Sequence, residues 1–152
     1  MTVRCTIDRL ARLLLLSWAV GLAASLAAQT PAPGLPLADA QAVRAVVQAQ
    51  LDAFADDDAA RAFSFAAPGI QAQFQTPDNF MTMVRASYPM VYRPASVAFL
   101  NPERAGELVV QKVHITDQQG ARWIALYSLH RQQTPEWRIS SCIVLRVSAQ
   151  TT

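Results

Sequence analysis

The 152-residue chain contains two cysteines, two histidines and five glycines, and each shortage removes a class of chemistry. It has no CxxC pair, no HExxH, no GxSxG and no glycine-rich phosphate loop after a strand. The usual thiol-redox, zinc-hydrolase, serine-hydrolase and nucleotide-binding signatures are therefore missing. His114 and His130 are widely separated and make poor metal-ligand arithmetic, so no metal and no cofactor are expected. Charged residues make up 16% of the chain, with no Lys/Arg cluster of the kind that tracks nucleic acid.

What is present begins at the start of the chain. Arg4, Arg9 and Arg12 form a basic opening, Leu13 to Ala28 is an uncharged run of 16 residues, and Ser25, Ala27 and Ala28 close it with small side chains. This is the layout of a secretory signal peptide spanning residues 1–28. A spanning helix wants about 20 apolar residues, so the run is short for an anchor, and no stable membrane span is expected after cleavage. Cutting after Ala27 places Ser25 and Ala27 at the two small-residue positions. The expected location is the periplasm or the exterior.

Losing the leader changes how the rest reads. Arg4, Arg9, Arg12 and Asp8 leave with it, which takes the 13 basic and 11 acidic residues to ten each. The mature chain is formally neutral, and the main argument for nucleic acid goes with the leader. Cys5 departs too, so Cys142 has no internal partner for a disulfide and is expected to be a small buried apolar residue.

About 124 residues remain, enough for one domain with a single core. Residues 29–38 carry Pro31, Pro33, Gly34 and Pro36 and read as a linker, which leaves the domain at residues 39–148. Val43, Val47, Leu51 and Phe54 recur at helical spacing with polar residues between them, predicting an amphipathic helix. Asp56, Asp57 and Asp58 come next. Adjacent carboxylates do not converge on one cation without other ligands, and acids suit a helix start. Ala59 to Phe65 predicts a second helix, Ile70 and Phe74 another turn, and Thr76-Pro77 a capped start to a helix that carries Phe80, Val84 and Tyr88 and stops at Pro89.

After Pro94 the period changes. Val97 to Leu100, Leu108 to Thr116, Arg122 to Gln132 and Trp137 to Val147 are strand-like, with Asn101 to Glu107 read as a loop. Connections this short require antiparallel neighbours. The expected fold is α+β, with N-terminal helices packed on a curved antiparallel sheet of about four strands. Alternation groups Trp137, Ile139, Ser141, Ile143, Leu145 and Val147 on one face, taken as the core side, and leaves Arg138, Ser140, Cys142, Val144 and Arg146 opposite. In the preceding strand both faces are apolar, so the second face is expected to line a cavity or to pair in a homodimer.

Ala62 to Ile70, Phe74, Thr76-Pro77, Phe80, Met83 to Arg85, Tyr88-Pro89, Val91 to Pro94 and Val97, with Trp137 to Ile139 and Cys142, resemble an exported bacterial family catalogued as domain of unknown function 4864. Ser141 stands where that pattern suggests glycine. The resemblance implies an exported compact domain and supplies no activity. The helix-then-sheet order also looks like the cone-shaped fold of nuclear transport factor 2 and its relatives. That likeness implies a pocket between sheet and helices, in which some relatives use a carboxylate with His or Tyr.

The residues themselves offer few catalysts. His114 shares its face with Val110, Lys112 and Thr116, which favours a surface or interface position, and it stands as a weak catalytic candidate. The segment Tyr88 to Pro94 mixes aromatic, apolar and basic groups between two prolines and reads as an exposed ribbon at a pocket mouth. The ligand-binding candidates are Arg85, Tyr88, Tyr92, Arg93, Trp123 and Tyr127, around an apolar cavity beside Tyr92, Trp123 and Tyr127 with Arg85 or Arg93 at its rim. Noncatalytic binding of an apolar or amphipathic ligand, or of a protein partner, is the leading expectation. The alternatives are an isomerase, dehydratase or hydrolase of cone-fold type and a homodimeric interaction module.

Overall fold

A computed structural model describes residues 34–131, 133 and 135–148. The expected leader and residues 29–33 of the linker lie outside the described residues. Helix α1 spans Leu37–Ala55, so helix begins two residues ahead of Asp39, and it buries Val43, Val47, Leu51 and Phe54 as their spacing requires. Among the described residues no helix is long and apolar enough to cross a membrane.

Three short helices come after it, α2 at Ala59–Ser64, α3 at Pro68–Phe74 and α4 at Pro77–Ser87. Their starts are chemically specified. Asp58 accepts a hydrogen bond from Arg61 N at 2.9 Å, Thr76 accepts one from Asn79 N at 3.2 Å, and Pro68 and Pro77 sit in first turns, where a missing N–H costs nothing. The Tyr88 to Pro94 segment, expected as an exposed ribbon with helix disfavoured by its two prolines, is helical in part. Pro89–Tyr92 forms one further helical turn, α5, with Val91 buried. Pro89 occupies its first position, where a fixed φ favours helix, and the Tyr88 carbonyl accepts from Val91 N and Tyr92 N, both at 2.9 Å.

The other described residues form an antiparallel sheet of five strands: β1 Ser96–Phe99, β2 Glu103–Ala105, β3 Leu108–Thr116, β4 Arg122–Arg131 and β5 Trp137–Arg146. The class is α+β, with the helices on one face of an open antiparallel sheet. Strand β2 lies inside the stretch that reads from sequence as a loop. Both β1 and β2 pair with β3, at its two ends, because the chain kinks at Leu100 to Pro102 and resumes pairing one residue out of step. Buried Gln111 holds the kink, its Nε2 donating to the Leu100 carbonyl at 2.7 Å. A two-residue turn then joins β2 to β3, with Gly106 at φ 65° supplying the left-handed step.

Strand β5 corrects the expected face assignment. Its pairing with β4 shifts between Ser128 and Leu129, so that Ser128 faces Ser141 while Leu129 faces Ile139, and Ser140 becomes the extra residue of a β-bulge. Its hydroxyl donates to the Ser128 carbonyl at 3.0 Å. Side-chain parity reverses at that point. Trp137 and Ile139 remain in the core, but beyond the bulge Cys142 and Val144 pack inward, while Ile143 and Leu145 are 55% and 52% exposed. The inner face aligns Val109 with Leu129, Gln111 with Tyr127, and Val113 with Ala125, all buried against the helices.

Candidate functional site

Two arrangements draw on the sequence candidates, and they separate residues expected to act together. The first is a clasp on the surface. Asp57, left-handed at φ 59°, ends the α1–α2 turn with its carboxylate facing α4 and α5. Arg85 Nη2 donates to Oδ1 at 2.8 Å, Arg93 Nη2 donates to Oδ2 at 2.7 Å, and the Tyr92 hydroxyl donates to Oδ1. Arg85 and Arg93 also lie over the Tyr92 ring, at 5.4 and 5.1 Å from its centroid. The acid cluster is thereby divided: Asp57 fastens the clasp, Asp58 caps α2, and Asp56 lies 3.7 Å from Arg61. Among the described residues no group of His, Cys, Asp or Glu stands together as a metal site.

The hydroxyl of Tyr92, then the Arg85 guanidinium, hold the Asp57 carboxyl below its ordinary 3.8. A carboxyl depressed on folding adds stability that is present above its unfolded value and is lost as pH falls through the folded one. Wild type is therefore expected to lose stability as pH drops below 3.8, and Asp57→Asn to flatten that limb in urea titrations taken at successive pH values. Asparagine tolerates the left-handed backbone, so the comparison isolates the charge. Equal acid limbs in the two proteins would remove the clasp from the acid response.

The second arrangement is a cleft of about 470 Å³ between the helical layer and the bulged part of β5. Phe54 comes from α1, Ile70 and Phe74 from α3, Phe80, Met83 and Val84 from α4, and Tyr88 and Val91 from the α4–α5 junction. The sheet contributes Tyr127 of β4 and Ile139 to Cys142 of β5. The bulge matters here: an extra residue bends the strand, and both Ser140 and Ser141 stand in the wall. Among the described residues none that lines it is charged. Buried Gln50 also lines the cleft, its Nε2 donating to the Ala62 carbonyl at 3.1 Å.

Tyr127 is the unusual group in this wall. It is 1% exposed, and among the described residues no nitrogen or oxygen is hydrogen-bonded to its hydroxyl. Its polar neighbour is the Cys142 thiol, directly across the strand pair, and a thiol is a weak partner. Burial, followed by that thiol, pushes the Tyr127 phenol well above its ordinary 10.0, and burial pushes Cys142 up to about 12. Both groups keep their protons at neutral pH, so Cys142 is not a ready nucleophile. A poorly satisfied buried hydroxyl costs about 1–3 kcal/mol, so Tyr127→Phe is expected to raise the stability of the chain by about 1 kcal/mol in urea unfolding. A loss of that size would mean the hydroxyl is satisfied.

Of the residues singled out from sequence, Tyr88 and Tyr127 meet in the cleft, whereas Arg85, Tyr92 and Arg93 are gathered by Asp57. Trp123 is tied elsewhere, its Nε1 donating to Asp117 Oδ2 at 2.8 Å with Arg146 5.6 Å over its ring. The cavity expected beside Tyr92, Trp123 and Tyr127 thus forms around Tyr127 and Tyr88 instead. His114 is exposed on the outer sheet face, opposite Ile124 and beside Ala98, and does not line the cleft. Sequence reasoning missed Gln50, Met83 and the Ser140-Ser141 pair as cleft residues. Only the serines left a signal, two polar residues interrupting an apolar strand.

This helix-on-sheet domain falls within a recognised family. The profile of the family described as domain of unknown function (DUF4864) matches residues 36–152, a span that includes every helix and strand above, and the chain belongs to that family. No curated protein matches the chain.

Proposed function

We propose that the chain is an exported binding domain whose cleft takes a small apolar or amphipathic molecule without transforming it. One observation carries the reading: a cleft of about 470 Å³, within the range of small-molecule sites, walled largely by apolar side chains and with no charged residue among the described ones that line it. Scaled from the 150 Å³ cavity that takes benzene, it suits a ligand of roughly 19 non-hydrogen atoms. Acid–base chemistry needs a base and a proton donor that converge on substrate, whereas Tyr127 and Cys142 both hold their protons and His114 lies elsewhere. Export rests on the leader-like opening, with cleavage after Ala27.

Native mass spectrometry of protein recovered from its own export compartment tests both parts. The expected spectrum is a chain beginning at Ala28 that carries a small noncovalent mass lost on denaturation. Phenylnaphthylamine, an uncharged dye that brightens in apolar surroundings, is expected to bind saturably to the delipidated chain. A bare chain that also fails to take up the dye would sink the binding reading, and an intact leader would sink export.

A second reading is favoured by the outer sheet face. Ile143 and Leu145, 55% and 52% exposed, stand beside Leu126 and Ile124, and an apolar surface of this kind marks an interaction site. Self-association through this face predicts a dimer in sedimentation velocity that the double substitution Ile143→Asp and Leu145→Asp converts to monomer. A wild-type chain that stays monomeric at high concentration would remove it.

A further inference from the structure

Resting on the reading of the cleft as a binding site, we infer that its ligand is uncharged and carries a hydrogen-bond acceptor of the carbonyl kind, and that Tyr127 is the residue that recognises that acceptor. The exclusion of charge comes from what surrounds the cleft. Arg85 belongs to α4, the helix that supplies Phe80, Met83 and Val84 to the wall, yet its guanidinium is committed to Asp57 at 2.8 Å and to Tyr92 at 3.2 Å. Arg93 is drawn to the same carboxylate. Among the described residues no cation lines the cleft to pair with an anionic head, and an unpaired charge in an apolar site is strongly disfavoured.

The preference for an acceptor comes from which polar groups are already used. Gln50 Nε2 donates to Ala62 and the Ser140 hydroxyl to Ser128, Gln73 and Ser87 on the rim are exposed to solvent, and Ser141 is half-buried. Tyr127 holds a buried hydroxyl proton whose polar neighbour among the described residues is the Cys142 thiol, a weak partner. A site with an unused donor gains more from a ligand that satisfies it than from a pure hydrocarbon of the same shape. The hydroxyl oxygen is screened from solvent. Met83 and Cys142 line the same cleft and are an unbranched and a small side chain. Such groups repack by rotation, so an incoming carbonyl meets the hydroxyl through side-chain motion.

The test uses the full chain with phenylnaphthylamine as reporter, displaced by methyl heptyl ketone, by decane of matching size, and by decanoate. In Tyr127→Phe the ketone is expected to lose about tenfold in affinity while decane keeps its own, since one buried hydrogen bond corresponds to about that factor. Decanoate is expected to displace the dye least. Should the variant fail to fold, infrared spectra of the ketone on wild type still decide: the bound carbonyl stretch is expected at lower frequency than in an alkane solvent. An alkane-like stretch, an unchanged ketone affinity in the variant, an equal loss for decane, or tighter binding of decanoate would each overturn the inference while leaving the cleft a binding site. Absence of saturable dye binding to wild type would instead overturn the underlying reading.

Discussion

Phe80→Ala is expected to lower the unfolding free energy by about 3–5 kcal/mol, the range for emptying a buried aromatic site. Phe80 is the hub of the helical layer, with ring centroids 6.1 Å from Phe54, 5.4 Å from Phe63 and 5.6 Å from Phe74. One side chain thus joins α1, α2, α3 and α4, and each aromatic pair adds about 0.5–1.5 kcal/mol beyond the area it buries. Against a total stability of about 5–15 kcal/mol for a domain, the loss is a large fraction. Calorimetry is expected to show Tm falling by about 12 °C or more. Phe80→Leu retains part of the volume and is expected to cost less. A loss below about 1 kcal/mol for the alanine variant would show that the surrounding rings close over the gap. Because Phe80 also lines the cleft, the alanine variant that remains folded at low temperature should accept bulkier dyes.

Val144→Asp and Ile143→Asp, neighbours in sequence, are expected to differ sharply. Val144 packs against the core opposite buried Ala125, so a carboxylate there is expected to cost at least about 2 kcal/mol. Ile143 is 55% exposed, and its substitution in dilute protein is expected to stay within about 0.5 kcal/mol. Unbroken alternation from Trp137 and Ile139 demands the opposite ranking, because odd-numbered residues would then face inward throughout β5. Urea midpoints for the two variants therefore decide whether the bulge at Ser140 sets the register. A larger loss for Ile143→Asp would refute it.

The two predictions mark where local pattern works and where it stops. Helix α1 is legible because four apolar residues at helical spacing allow one buried stripe. Capping residues and first-turn prolines likewise announce α2 and α4. The Ser140 bulge is not legible, since an extra residue leaves composition unchanged and inverts only the part of the strand beyond it. The short strand β2 is obscured by Pro102 and Gly106, although both lie just outside the paired residues. In α5, Pro89 reads from sequence as a helix stop, while the structure uses it as a helix start.

The candidate site divides in the same way. Tyr88 and Tyr127 are recognisable as amphipathic side chains able to line a pocket. Arg85, Tyr92 and Arg93 carry the same apparent signal, but Asp57 lies 28 to 36 residues away in sequence and takes all three. Nothing in a local window distinguishes an arginine waiting for a ligand from one already paired at long range.

By itself the sequence determined the α+β class, the antiparallel order of the long strands, the apolar stripes of the helices and the family resemblance. All of these arise from short-range periodicity and from turn and cap chemistry. Tertiary structure decided the parity of β5 beyond Ser140, the capture of both arginines by Asp57, and the placement of Tyr127, its hydroxyl buried beside the Cys142 thiol, in the wall of the cleft. Those depend on which distant groups come within a few ångströms of one another, and hydrogen bonding and charge pairing act on that distance rather than on separation along the chain.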